Sequence, residues 1–161
     1  GKGVIRNADP RDGEPLPVLF ERTLPLEPGS WKFAGAPLPD VVLVNLGAND
    51  FLLGAPDEAA FRRAYARLVA RVRQVYPRAL IVLVLGPILW DEARHDARTL
   101  MRAWLDAIIR DRAGAGDTRL ALLEQWADPR EPVGCQFHPS EESHRRFAAE
   151  LVSFLKPPLK W

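Results

Sequence analysis

The chain has 161 residues, 47% hydrophobic and 27% charged, with a formal net charge of +1. That describes one globular domain with room for a sizeable core, and the near-neutral balance gives no reason to expect nucleic acid or another polyanion as partner. A single cysteine excludes an internal disulfide framework and most cysteine metal sites, and no run approaches the ~20 apolar residues of a membrane span.

Residues 1–40 read as irregular. Gly1-Lys2-Gly3 reads as the turn closing a strand whose body lies upstream, with residues 4–7 as its continuation. Prolines at 10, 15, 17, 25, 28, 37 and 39 make the rest a loop, with one helical turn near residues 18–23. Trp31 and Phe33 anchor that loop by packing. The apolar run 41–46, bounded by Pro39-Asp40 and Gly47, predicts a central strand that is fully buried. Its far end carries Gly47, Asn49 and Asp50, where open α/β sheets put their sites. Gly47 lets backbone approach a ligand closely, and Asn49 offers an amide N–H to a developing oxyanion. The same residue types also serve a plain strand-to-helix turn.

A helix opens at residues 54–57, with Pro56 at its first position, and stops at Pro77. Phe61, Tyr65, Leu68, Val72 and Val75 form its buried stripe, and Arg62, Arg63, Arg67, Arg71 and Arg73 a solvated face without function. Residues 80–85 are a second strand buried on both faces, ending in Gly86-Pro87. A long helix over 91–112 buries Leu100, Trp104, Ala107 and Ile108, and residues 114–117 end it. Residues 120–123 form a short third strand. After a loop to Pro139, Ser140 caps the last helix, with Glu141 and Glu142 in its first turn. His144, Phe147, Ala148, Leu151 and Val152 form its stripe, and Pro157-Pro158 stops it. His144 reads as structural and His95 as exposed. Strand alternating with helix predicts an α/β fold, a parallel sheet with helices on both faces and right-handed crossovers. Three strands are few for such a sheet, so more are expected before Gly1.

Three segments carry a resemblance: residues 1–7 (Gly-Lys-Gly-Val-Ile-Arg-Asn), 45–51 (Asn-Leu-Gly-Ala-Asn-Asp-Phe) and 134–140 (Gly-Cys-Gln-Phe-His-Pro-Ser). In this order they resemble the SGNH (GDSL-type) hydrolases, most closely carbohydrate esterase family 2. The resemblance implies a three-layer α/β/α flavodoxin-like sheet, of which this chain covers the C-terminal part. It implies a serine esterase acting on acetylated polysaccharides such as xylan or glucomannan, secreted or periplasmic, without cofactor or metal. His138 is then the base, Asn49 and the backbone N–H of Gly1 (or of Gly3) the oxyanion hole, and Gly47 and Asp50 their supports. Trp90 and Trp126 are candidate sugar platforms, or simple packing residues.

Two departures stand out. The superfamily's aspartate three residues before the histidine is replaced by Cys135, so something else orients His138; in some family 2 members a backbone carbonyl meets the imidazole. Cys135 is alternatively a thiol nucleophile or a small buried hydrophobe. The family's Gly-Asp-Ser motif is also absent: Ser30, Ser140, Ser143 and Ser153 all lie outside such a motif. The nucleophilic serine is therefore expected in an upstream segment, which in this family also holds a β-sandwich domain, or in a companion chain. Rival readings are a lipid or thioester hydrolase, an inactive carbohydrate-binding module of the same fold, and a phosphate-binding flavodoxin-like domain, the last without a P-loop to support it.

Overall fold

The computed structural model describes residues 1–91, 96–128, 130–131 and 133–160, with Phe137 as backbone only. Strand β2 (Leu80–Leu85) is six apolar residues, all buried. It lies between β1 (Val41–Val44) and β3 (Leu120–Glu124), parallel to both, with Val42 beside Ile81 and Val82 beside Ala121. Alternate side chains of β2 feed two cores, as the twofold period of a strand requires. Ile81, Leu83 and Leu85 pack with Phe61, Tyr65 and Val72 of α2 (Glu58–Val75) and with Met101, Trp104 and Ile108 of α3 (Ala97–Gly114). Leu80, Val82 and Val84 pack with Leu155 of α4 (Glu141–Leu159). The result is the three-layer α/β/α arrangement with a parallel sheet. No helix among the described residues is long and apolar enough to cross a membrane.

The sheet corrects one expectation. Among the three strands of this chain β2, not β1, lies in the middle, and β1 is half-buried here with Leu43 44% exposed. A continuous apolar run does not say which of the strands stands between the others.

Helix ends depart from expectation where polar side chains intervene. Asp57, not Pro56, opens α2, its Oδ1 accepting from Ala60 N at 2.7 Å. α3 begins after Asp96, which is in the left-handed region at φ 57°. Asp91, expected inside that helix, instead accepts from Thr99 N (2.9 Å) and Thr99 Oγ1 (2.8 Å), and the expected segment 92–95, with His95, lies outside the described residues. Ser140 does cap α4, accepting from Ser143 N at 3.2 Å. That helix runs through Pro157 and Pro158 because Leu155 and Leu159 dock its last turns on the sheet. Its buried line is Ser143, Phe147 and Leu155, which leaves His144, Ala148 and Val152 exposed.

Residues 1–40 form no strand. They hold one short helix, α1 (Leu16–Leu19), and fold around Asn7, which accepts from Gly3 N and donates to the Gly13 carbonyl. Phe33 packs among Phe20, Trp31 and Tyr76, while Trp31 itself is exposed. The arginine face of α2 does more than face solvent. Arg71 ties the loop to α2 through both carboxylate oxygens of Glu21 (2.6 and 2.9 Å). Arg73 donates to the carbonyls of Tyr76, Pro77, Ala79 and Arg119 and, with Arg112, pairs with Asp117 at 3.0 and 2.8 Å.

That knot joins α2, α3 and two strand starts, and it sets a stability expectation. Burial alone raises the Asp117 pKa, but hydrogen bonds from Arg73 and Arg112 outweigh it and hold the carboxyl below its usual 3.8. A carboxyl depressed on folding stabilises above its unfolded pKa, so the contribution is complete above pH 3.8 and lost as pH falls through the lower folded value. Asp117→Asn is expected to cost about 2 kcal/mol at neutral pH, since hydrogen bonds to charged groups are worth about that much. Urea unfolding of both proteins should show the gap closing as the pH is lowered.

Candidate active site

Parallel strands end on one side of their sheet, so the loops after β1, β2 and β3 meet there. A cleft of about 220 Å³ opens between them. It is lined by Asn45, Gly47 and Asn49 after β1, Gly86 and Pro87 after β2, His138 and Pro139 after β3, Lys2 from the first segment and His144 from α4. A larger groove of about 510 Å³ between α2 and α3 is lined by Asp57, Glu58, Arg62 and Asp111, without histidine or amide. Size alone does not select the site; the strand-end cleft is where a base and an amide donor converge.

The β1 end is shaped by Gly47, whose φ is 122°. A Cβ there would stand 2.5 Å from Met101 Cε and 3.2 Å from Phe61 Cζ. Only glycine takes this backbone freely while α2 and α3 press against it. A 3-10 turn, Ala48–Phe51, follows and presents Asn49 to the cleft. Gly47→Ala should therefore destabilise the protein by about 1–3 kcal/mol, the usual cost of such backbone strain, and shift Asn49. Thermal unfolding reads the first effect and the NMR shift of the Asn49 side-chain amide the second.

Asn49 Nδ2 donates to the Lys2 carbonyl at 2.8 Å, and its other amide hydrogen is available to a ligand. Gly1 lies against the same amide: a Cβ on it would stand 2.8 Å from Asn49 Nδ2. Asp50 is fully buried and accepts from the backbone N–H groups of Val4 (2.8 Å), Ile5 (2.8 Å) and Arg6 (3.0 Å). Arg6 returns its guanidinium to the carbonyls of Asp50 and Gly54. Burial pushes the Asp50 carboxyl up, and the N–H groups of Ile5, Val4 and Arg6 pull the other way without cancelling it. The first segment and the Asn49 turn are thus bound into one unit.

His138 is exposed, at the end of a short 3-10 turn, Cys135–Phe137. Its Nδ1 lies 3.2 Å from the backbone carbonyl of Cys135, which also accepts from His138 N at 3.1 Å. A carbonyl can only accept, so this bond places the neutral ring's hydrogen on Nδ1 and leaves Nε2 as the basic nitrogen. Gly134 N donates to the His138 carbonyl at 2.7 Å, and a bridge between Val133 and Pro139 closes the loop below.

Trp90 and Trp126 are not brought into the cleft. Trp90 is half-buried and donates through Nε1 to the Ala127 carbonyl at 3.1 Å. Trp126 is exposed, with the Arg98 guanidinium 5.0 Å from its ring centre. Cys135 is exposed, so it is no buried hydrophobe. Lys2, Asn45 and His144 line the cleft, although sequence assigns the first two no role of their own and His144 reads there as structural. For His144 the available signal was its place in the first turn of a helix that starts just after His138. No serine lines the cleft among the described residues.

Comparison with known proteins places this arrangement. The sequence profile of the GDSL-like Lipase/Acylhydrolase family matches residues 13–146. The chain is 33% identical over 153 residues to Cellulase/esterase CelE of Acetivibrio thermocellus, covering 92% of this chain and 18% of that protein. It is 27% identical over 169 residues to an acetylxylan esterase / glucomannan deacetylase of Cellvibrio japonicus, covering 100% of this chain and 43% of that one. Among solved structures, a family two carbohydrate esterase from Clostridium thermocellum in complex with cellohexaose superposes over the whole chain and 48% of its own, with TM-score 0.92 and 31% identity. The family two carbohydrate esterase from Cellvibrio japonicus superposes with TM-score 0.84 and 26% identity, over 46% of its own chain. The chain spans less than half the length of each of these relatives. The profile match over most of the chain shows that it belongs to the GDSL-like lipase/acylhydrolase family.

Proposed function

We propose that this chain forms part of a carbohydrate O-acetyl esterase, with His138 as general base and Asn49 in the oxyanion hole. The observation that carries this reading is one cleft holding the Asn49 amide and an imidazole fixed through Nδ1 by the Cys135 carbonyl. In the proposed reaction a serine from outside these residues attacks the acetyl carbonyl and passes its proton to His138 Nε2. Asn49 Nδ2–H and a backbone N–H near Gly1 hold the oxyanion. The sugar oxygen leaves with the proton from His138. His138 then takes a proton from water, whose oxygen attacks the acyl-serine, and returns that proton to the serine oxygen as acetate is released. Gly47 and Asp50 support the turn that presents Asn49.

Xylan or glucomannan acetyl groups are proposed as substrate because one relative is named for them and one neighbour holds cellohexaose. An extracellular or periplasmic location follows from such substrates. A second reading, a module that binds carbohydrate without cleaving it, draws on the cleft having no serine among the described residues of this chain. Acetate release from acetylated xylan and glucomannan, with every polypeptide in the preparation identified by intact mass, separates the two. Release supports the esterase. Binding of cello- or xylo-oligosaccharide without release, in a preparation containing a Gly-Asp-Ser segment, supports the module.

A further inference from the structure

The orientation of His138 rests on one 3.2 Å hydrogen bond to a carbonyl in an exposed loop. Such a bond is worth only about 1 kcal/mol net, too little to hold a ring against a moving backbone. The ring is therefore only as well placed as the loop that carries both partners. Among the described residues between Glu124 and Glu141, that loop has no helix or strand beyond its 3-10 turn. Its start is tied to the β2 end and to Trp90 by the Gln125 and Ala127 backbone, and beyond that a polar cluster on α4 holds it. Arg146 Nη1 donates to the Trp126 carbonyl (3.0 Å) near the loop's start. Arg146 Nη2 reaches both carboxylate oxygens of Glu131 (2.9 and 3.2 Å) in its middle. The buried Ser143 donates through Oγ to Glu131 Oε2 (3.1 Å) and lies 3.1 Å from Ser140 Oγ, at the loop's exit. The Val133–Pro139 bridge stands just above, and the Cys135–His138 turn above that.

We propose that Glu131, Arg146 and Ser143 form a clamp that positions His138, supplying through the backbone the orientation that a carboxylate three residues before the histidine would otherwise give. This rests on the reading of His138 as the base. Ser143 and Arg146 tie Glu131 to α4, and Arg146 also holds the loop's start through the Trp126 carbonyl, so the Glu131 charge and its two partners set how the Cys135–His138 turn sits on that helix. The three are positioning residues; the ring itself meets the substrate.

Imidazole nitrogen NMR on the substrate-free protein reads the ring directly. The parent should hold His138 in the Nδ1–H form. Glu131→Gln, which keeps size and loses the charge, should shift His138 towards the Nε2–H form and lower kcat about 10- to 100-fold, the range for a misplaced catalytic group, with KM within about twofold. Ser143→Ala, which removes the Oγ contacts to Glu131 and Ser140 but leaves the Arg146–Glu131 pair, should give a smaller shift and serves if Glu131→Gln does not fold. Arg146→Lys should be intermediate. Asp128→Asn, which breaks the exposed Asp128–Arg130 pair on the same loop, should leave both readouts at the parent values. An unchanged tautomer and kcat in folded Glu131→Gln and Ser143→Ala overturns the clamp, as does an equal shift in Asp128→Asn. A tautomer shift in a protein whose parent releases no acetate keeps the clamp and removes the esterase reading.

Discussion

Replacing His138 by alanine is expected to lower kcat on an acetylated sugar by about 10⁴-fold, the usual loss when a member of a serine hydrolase's catalytic group is removed. The fold should survive. The side chain is exposed, and its hydrogen bond is to a carbonyl that the His138 N–H also satisfies. Surface changes of this kind cost within about 0.5 kcal/mol. An inactive variant with an unchanged unfolding midpoint is therefore the expected result, read by acetate release and thermal unfolding side by side. A drop of only a few fold would move the proton transfer elsewhere, and His144, the other histidine lining the cleft, would be the next residue to replace.

Asn49→Ala is the second large effect, about 10²- to 10³-fold in kcat, the range for loss of one oxyanion-hole donor. The donor matters more in the transition state than in the ground state, so KM should move little. Part of the loss comes from slackening. The Asn49 amide also holds the Lys2 carbonyl, so alanine frees the first segment at that point while Asp50 still grips Val4, Ile5 and Arg6. Asn49→Asp removes both donations, to the Lys2 carbonyl and to the oxyanion, and adds negative charge where the oxyanion forms, so it should be at least as inactive as alanine. Activity close to the parent in Asn49→Asp would mean that the side chain does not meet the oxyanion.

Much of this arrangement is legible before any coordinates. The runs at 80–85 and 61–72 have the right period and composition for a buried strand and a one-sided helix, and they become β2 and α2. Ser140 followed by two glutamates marks the start of α4. What sequence does not carry is the neighbour across a gap. The order of the three strands, the capping of Thr99 by Asp91 and the rotation of the α4 stripe depend on which element packs where. His144 follows from that rotation, since a stripe turned to bury Ser143 and Phe147 leaves it facing the cleft. The resemblance already offers a backbone carbonyl where the carboxylate three residues before His138 is absent; which carbonyl it is, that of Cys135, depends on backbone direction that the sequence does not carry.

The identity of the attacking residue is the most direct test of the working site. Treating the protein with an organophosphonate that mimics an acetyl ester, then mapping the adduct by peptide mass, reads it in one measurement. The expected adduct is on a single serine outside residues 1–161, formed by the parent and lost in His138→Ala. An adduct on Ser140, Ser143 or Cys135, or one that forms equally well without the His138 imidazole, would contradict the assignment of His138 and Asn49 as the reacting centre.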